Sequence, residues 1–253
     1  MPSHRRLPRL TPPWRRATLA LAAAVFGVGT PAMAGEFAVS PIRAELKPDA
    51  LTETLTVTNY ADAPLRVSAK LMAWTQDGAG ADVYTDSADL VYFPRQLDIP
   101  PQGRRLIRLG TRTAAPPTER SYRLFIEEEP APGAAAGAQV SFYFRFGVPV
   151  FLPPTSGRTV PEVTGIELAG GKAVVSVRNA GNQHFRLLKV ALASPSGYAR
   201  EASGWYSLAG ATRTYSFDLP LPDCQKSGQL RFTAEGDDVR LDKTFDVEPA
   251  ACR

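Results

Sequence analysis

The segment VSFYFRFGVPV at residues 140–150 constrains the fold more than any other stretch of this 253-residue chain. Every second residue is apolar, and side chains alternate between the two faces of a strand, so these residues would line one face. They are Val140, Phe142, Phe144, Phe146, Val148 and Val150. Pro149 cannot donate to a sheet ladder, which restricts it to an edge, a strand end or a bulge. The pattern predicts a long aromatic strand that lies partly at a sheet edge, where a partner's strand could pair with it.

The first 34 residues have the pattern of a secretory signal peptide. Five arginines precede a short apolar segment at 17–28, and Ala32-Met33-Ala34 fits the small-x-small rule for cleavage. The apolar segment is too short to span a bilayer, and an uncleaved anchor is the alternative. We therefore predict export, cleavage after Ala34 and a mature chain without a membrane span.

Removing this segment changes the charge of the chain. The full sequence has a net charge of +4, and residues 1–34 contain five arginines and no acidic residue, so the mature chain falls by five to −1. No basic patch interleaved with aromatic residues remains. The charge therefore argues against nucleic acid as a partner.

Two cysteines, Cys224 and Cys252, lie near the C-terminus. In an exported protein such a pair most often forms a disulfide. A metal site would need more ligands than these and His184, the only histidine after residue 34. We predict a Cys224–Cys252 disulfide and neither a metal nor another cofactor.

Strand patterns recur at short spacing, and no long segment has the apolar stripe of an amphipathic helix. Ahead of the opening segment we predict strands at 37–46, 52–59, 65–75, 92–99, 104–109 and 122–128. After it we predict strands at 165–168, 172–179, 185–193, 211–219, 229–235 and 240–247. Each set suits an immunoglobulin-like β-sandwich, and the proline-rich stretch between them suits a linker. The expected organisation is all-β, with one domain at 35–152, a hinge at 153–161 and a second domain at 162–253.

The sequence offers little for catalysis. His184 follows a predicted turn and no G-x-S-x-G nucleophile elbow is present, so we interpret it as a solvated or turn-packing residue. The acidic run at 127–129 falls at a strand end, where it would form a solvated rim and screen an edge. We predict that the chain is not an enzyme; a secreted hydrolase is an alternative without a recognisable constellation of residues.

Arg43 lies on the first predicted strand, in VSPIRAEL, between apolar neighbours. Its planar guanidinium could present a fork of donors to a carboxylate. A surface arginine with a buried stem fits the sequence equally well.

Five segments, in this order, resemble the periplasmic chaperones of the chaperone–usher pilus pathway, the PapD-like chaperones. They are VSPIR at 39–43, LTVTN at 55–59, IPPQGRRLIRLG at 99–110, YRLFIEEEP at 122–130, and the alternating strand that runs into PVFLP at 149–153. RLFIEEEP and the late proline are more similar to the archaic or spore-coat-like branch. The resemblance implies two immunoglobulin-like domains in an L-shaped arrangement, a periplasmic location, and a ligand site on the first domain and in the cleft.

The resemblance also implies the partners, which are pilus subunits and an outer-membrane usher. Chaperones of this family lend a strand to subunits whose own fold lacks one, a form of β-augmentation. By alignment with the family, the donor positions are Val140, Phe142, Phe144, Phe146 and Val148.

Two positions depart from the family pattern. The family's anchor for the subunit's C-terminal carboxylate falls on Arg43, but its companion lysine falls on Pro149. Either another basic residue replaces it, such as Arg145 on the same strand face, or the hydrophobic strand does most of the binding. Pro153 stands where an arginine of a cross-domain ion pair is expected, so that ion pair lacks a partner.

A secreted two-domain adhesion or scaffold module is the other hypothesis. In such a module the phenylalanine face would pack within its own sandwich, as alternating strands commonly do. A chaperone with an unoccupied strand would instead expose an apolar patch and could self-associate when free.

Overall fold

The computed structural model describes residues 37–47, 49–130 and 143–252. Within these ranges the chain is almost entirely β-structure, so the predicted all-β, immunoglobulin-like class is confirmed. The predicted signal peptide and the donor positions Val140 and Phe142 lie outside the described residues. Among the residues that are described, no helix is long and apolar enough to cross a membrane.

The first ten strands form two packed sheets. They are β1 (Phe37–Ser40), β2 (Ala44–Glu45), β3 (Thr52–Asn59), β4 (Leu65–Gln76), β5 (Asp82–Asp86), β6 (Val91–Phe93), β7 (Gln96–Ile99), β8 (Arg104–Gly110), β9 (Arg120–Glu128) and β10 (Arg145–Leu152). One sheet has the order β1-β3-β8-β6, and the other has the order β2-β10-β9-β4-β5, with β7 also paired to β4. We call this unit the first sandwich.

Alternation explains how the first sandwich closes. In β3, Leu55 and Val57 point inward and are fully buried, while the threonines that alternate with them face outward. The predicted first strand is interrupted at Pro41, as expected. The chain changes sheets at this interruption, because β1 pairs with β3 whereas β2 pairs with β10.

The remaining strands form two further sheets, which we call the second sandwich. They are β11 (Pro161–Ala169), β12 (Lys172–Asn179), β13 (Phe185–Ala193), β14 (Ala199–Ser203), β15 (Tyr206–Ser207), β16 (Thr212–Asp218), β17 (Gln229–Gly236) and β18 (Arg240–Asp246). The sheet orders are β11-β12-β16 and β14-β13-β17-β18, with β15 paired to β13. A short helix, α1 (Leu221–Ser227), precedes β17. Its Cys224 is bonded to Cys252, which confirms the predicted disulfide.

Three strands and the helix were not predicted. The strands are β5, β14 and β15, and most side chains of β5 and β14 are polar, so they lack the apolar alternation on which the sequence interpretation relied. Helix α1 is seven residues long, which is too short to establish a helical repeat.

A buried asparagine closes the same turn in both sandwiches. Asn59 ends β3, where its Nδ2 donates to the carbonyl oxygen of Ala63 at 2.8 Å and its Oδ1 accepts from the amide of Ala61. Asn179 ends β12, where its Nδ2 donates to the carbonyl oxygens of Gln183 and Ser207 at 2.9 and 3.0 Å. The similar sequence runs LTVTNYADAP and VVSVRNAGNQ therefore correspond to matching structural turns.

Asn179→Ala should destabilise the second sandwich. The substitution leaves two carbonyl groups without their donor at a fully buried position, which costs about 1–3 kcal/mol for each unsatisfied polar group. Urea unfolding followed by circular dichroism would show a lower midpoint than for Gln229→Ala, which removes an exposed amide. Equal midpoints for the two variants would contradict a structural role for the turn.

Candidate functional site

The outer edge of β10 is open over most of its length. On one side β10 pairs with β9 from Arg145 to Leu152. On the other side it pairs only with β2, in parallel, at Val150 and Phe151. Among the described residues, the edge from Arg145 to Pro149 therefore has no strand partner. Pro149 lies in this open stretch, so the predicted edge position is confirmed.

The apolar face of β10 changes from core to surface along the strand. Val150 and Val148 are 0% and 3% exposed and belong to the core of the first sandwich. Phe146 is 36% exposed and meets Phe37 edge-on at 4.9 Å between ring centroids. Phe144 is half-buried and packs against the rim of the core. The two phenylalanines thus combine an apolar face with an open backbone edge.

The opposite face of β10 lies over a buried arginine that the sequence interpretation missed. Arg123 donates from Nη1 to the carbonyl oxygen of Gly147 at 2.9 Å, and its guanidinium lies 4.1 Å from the Trp74 ring centroid. A Cβ at Gly147 would lie 3.1–3.2 Å from Phe125 and Arg123, so a residue without a side chain allows this close packing.

Arg145 makes local contacts on this face. Its Nε lies 2.6 Å from Glu127 Oε1 across the strand pair, and its guanidinium lies 3.8 Å from the ring centroid of Phe125. The backbone amide of Glu128 donates to the carbonyl oxygen of Phe144 at 3.0 Å. The acidic run at 127–129 therefore flanks the start of β10, at the rim of the sheet.

Arg43 lies beside a polar cavity of about 280 Å³ between the two sandwiches. Its Nε is 3.4 Å from Glu45 Oε1, and its Nη1 is 3.9 Å from Asp237 Oδ2 of the second sandwich. Arg186 lines the same cavity, whereas Arg145 and Pro149 do not. The structure thus places a second cation beside Arg43 that the sequence interpretation did not identify.

His184 is buried between the sandwiches. Its Nδ1 lies 2.7 Å from Glu119 Oε1, and its backbone amide donates to the same oxygen at 3.0 Å. Its ring stacks on Phe151 with 3.6 Å between centroids. The residue packs beside a turn, as one of the two sequence interpretations held, but it is not solvated. The Glu119–His184 pair connects the two sandwiches. It is a different polar contact from the cross-domain ion pair of the family, for which Pro153 provides no arginine.

Asp82 connects the sandwiches on another side. Its carboxylate accepts hydrogen bonds from Gln76, Tyr84 and Trp205, the last at 2.9 Å from Nε1 of the second sandwich. Burial, together with the nearby Asp82 charge, raises the pKa of the Tyr84 hydroxyl. The phenol therefore stays protonated and able to donate at neutral pH.

The β4–β5 hairpin also packs against the second sandwich. Arg213 donates to the carbonyl oxygen of Gly80, and Thr214 Oγ1 donates to that of Ala79 at 3.3 Å. Gly80 has a φ of +83°, and a Cβ there would lie 2.6 Å from the Cα of Arg213. Glycine is required both for the turn and for the close approach.

Comparison with known proteins identifies the type of the first sandwich. Residues 36–157 match the family described as "Pili and flagellar-assembly chaperone, PapD N-terminal domain". No curated protein matches the chain.

Several solved structures share the fold over nearly their whole length. The CsuC–CsuE chaperone–tip adhesin complex from archaic Csu pili of Acinetobacter baumannii aligns with a TM-score of 0.64 and 18% identity, over 83% of this chain and 98% of the other. The CupB2 chaperone of Pseudomonas aeruginosa has a TM-score of 0.54 at 17% identity, and the alignment covers 83% of this chain and 100% of the other. The Salmonella enterica SafA pilin–SafB chaperone complex has a TM-score of 0.55 at 13% sequence identity, and the alignment covers 84% of this chain and 98% of the other. At these identities the likeness establishes the fold.

Gly80→Ala should loosen the packing between the sandwiches. Both tryptophans after residue 34, Trp74 and Trp205, lie there, so we expect their fluorescence to shift to longer wavelength. Gly197→Ala is the matched control, because Gly197 also has a positive φ but a Cβ there would meet nothing within 4 Å. Left-handed strain of about 1–2 kcal/mol is common to both variants. A shift of the same size in both would mean that contact with Arg213 contributes nothing.

Proposed function

This chain belongs, through the PapD N-terminal domain at residues 36–157, to the family of pili and flagellar-assembly chaperones, and from that premise we propose that it binds pilus subunits by strand donation. We propose further that it acts in the periplasm after cleavage behind Ala34 and passes its subunits to an outer-membrane usher. The proposed domains are 35–152 and 162–253, joined by a hinge at 153–161. The proposal includes no catalytic step and no cofactor.

The observation that carries the proposal is the open edge of β10 beside half-exposed phenylalanines. A strand fixed at one end in a core needs little further ordering when another strand pairs with it, because its backbone is already extended. Main-chain hydrogen bonds along such an edge tolerate many sequences, whereas alternate side chains set the register. The likeness to chaperones solved with a pilin or a tip adhesin supports the same assignment.

The proposed donor residues contribute unequally. Phe144 and Phe146 retain apolar surface that a partner could cover, and Val140 and Phe142 would extend the same face. Val148 is buried in its own sandwich and would contribute through the backbone edge.

Arg43 is the proposed anchor for the client's C-terminal carboxylate. Its side chain is 43% exposed, and its contacts with Glu45 and Asp237 are long, so a carboxylate could replace them. Ion pairs with this exposure contribute about 0–1 kcal/mol. Arg186 is the proposed second cation, in the role that the family assigns to a lysine at the position of Pro149.

Phe144→Asp should reduce subunit capture more than Arg145→Ala. Burying a phenylalanine contributes about 2–3 kcal/mol, whereas the exposed ion pair of Arg145 contributes about 0–1 kcal/mol. The test is co-expression with candidate exported pilus subunits, followed by pull-down from the periplasm.

Two further variants make this comparison specific. Phe146→Ser changes the more exposed ring and keeps the core intact, so it should also reduce capture. Tyr60→Asp removes a comparably exposed aromatic residue of the turn after β3, which is not part of β10, and should leave capture unchanged. If the β10 variants and Tyr60→Asp capture equal amounts of subunit, strand donation is excluded and the scaffold-module hypothesis is favoured.

Arg43→Ala should leave the protein folded but reduce capture by about tenfold, the effect of losing a hydrogen-bonded charge contact. Arg104→Ala removes an exposed arginine on the other sheet and is the control. Co-purification would be quantified alongside thermal unfolding of each variant. Undiminished capture by a folded Arg43→Ala protein would rule out the anchoring role.

A further inference from the structure

His184 contacts three separate parts of the chain. Its side chain binds Glu119, which immediately precedes β9; its ring stacks on Phe151 of β10, with the planes only 11° apart; and it lines the cavity beside Arg43. One residue of the second sandwich therefore contacts both the start of β9 and the fixed end of the open strand.

The Glu119–His184 pair is buried on both sides. The side chains are 0% and 7% exposed, respectively. Oε1 accepts both hydrogen bonds from His184, and Oε2 has no partner among the described residues. A buried carboxylate is costly unless it is hydrogen-bonded, so the conformation of Glu119 depends on His184.

Backbone contacts hold the two residues in register. The amide of Glu119 donates to the carbonyl oxygen of Asn182 at 2.9 Å, and Asn182 Nδ2 donates to that of Pro117 at 3.0 Å. The segment before β9 is thereby attached to the turn after β12. That turn leads into Arg186, the second cation of the cavity.

Phe151 connects this contact to the open edge. It pairs with Glu45 of β2, and its neighbour Val150 pairs with Ala44, the residue after Arg43. Arg186 follows His184 by two residues. The packing of His184 on Phe151 therefore determines where Arg186 lies relative to Arg43 and to the edge of β10.

We propose that Glu119 and His184 are positioning residues that hold Arg186 of the second sandwich at a fixed distance from Arg43 and from the donor edge of β10, and so select clients by the length of their terminal strand. The inference rests on the proposed strand donation. A strand advances about 3.3 Å per residue and reverses its face at each step. A client that is one residue too long therefore loses either its side-chain register or its carboxylate contact.

The test uses a candidate exported pilus subunit in its natural form and with one or two glycines added at its C-terminus. Natural and extended subunits carry different tags and compete in the same periplasm, and the ratio captured by the chaperone is measured. The full-length chaperone should prefer the natural subunit by about tenfold. His184→Phe keeps a ring on Phe151 but removes the donor to Glu119, and should reduce that preference to within about twofold.

Conservative substitution separates positioning from folding. His184→Asn retains a donor near the place of Nδ1 and should restore most of the preference. Asp242→Asn breaks an exposed ion pair with Arg231 in the second sandwich and should change nothing. Glu119→Gln removes the negative charge of the side chain without changing its shape, and should weaken the preference for the natural subunit. This variant provides the test if His184→Phe does not fold.

Each outcome decides between the possibilities. Lower total capture by His184→Phe with an unchanged length preference would mean that the pair is merely structural, and would overturn the inference. An unchanged preference in a folded Glu119→Gln protein would do the same. Failure of the wild-type chaperone to capture any subunit would instead reject the proposed function, and the inference with it.

Discussion

The structure depends on how the backbone hydrogen bonds of β10 are satisfied. Over Val150 and Phe151 the strand is paired on both sides and its side chains are buried, so this end is held in the core. From Arg145 to Pro149 only β9 is paired with it among the described residues. An unpaired edge invites association with another chain, and native proteins normally cover it. Here the same strand supplies both a fixed end and an open edge.

The contacts between the sandwiches surround the paired end of β10, at Val150 and Phe151. Trp74, Phe151, Tyr206 and Leu208 form a separate apolar cluster to which both sandwiches contribute. Polar contacts surround it, at Asp82 on one side and at Glu119 on another. Apolar burial is not directional, whereas hydrogen bonds are, so the cluster supplies adhesion and the polar contacts supply orientation. That orientation determines where the Arg43 cavity lies relative to the strand.

The sequence predicted those parts in which a local pattern reflects burial. β3 and β12 have the predicted bounds, because alternating residues face a core and a buried asparagine ends each strand. Strand β5 could not be found in this way, since its side chains are mostly polar and its partner is set by the hairpin. The Glu119–His184 pair joins residues 65 positions apart, and neither residue has a local pattern that indicates it. Arg186 escaped notice for the same reason, because only the tertiary structure brings it beside Arg43.

If the proposed function holds, the charges of the cavity imply that a client pairs with β10 before its carboxylate reaches Arg43. Arg43 and Arg186 face Glu45, Asp237 and Asp238, so the arginines and acidic residues of the lining sum to a net charge of −1. A free carboxylate gains little from such a site, and salt screens its attraction to the arginines beyond about 10 Å. A carboxylate carried by a strand already paired to β10 is different, because its effective concentration at the cavity is high. In the proposed function, the apolar strand therefore supplies the affinity, and the arginine pair determines where the client's chain ends.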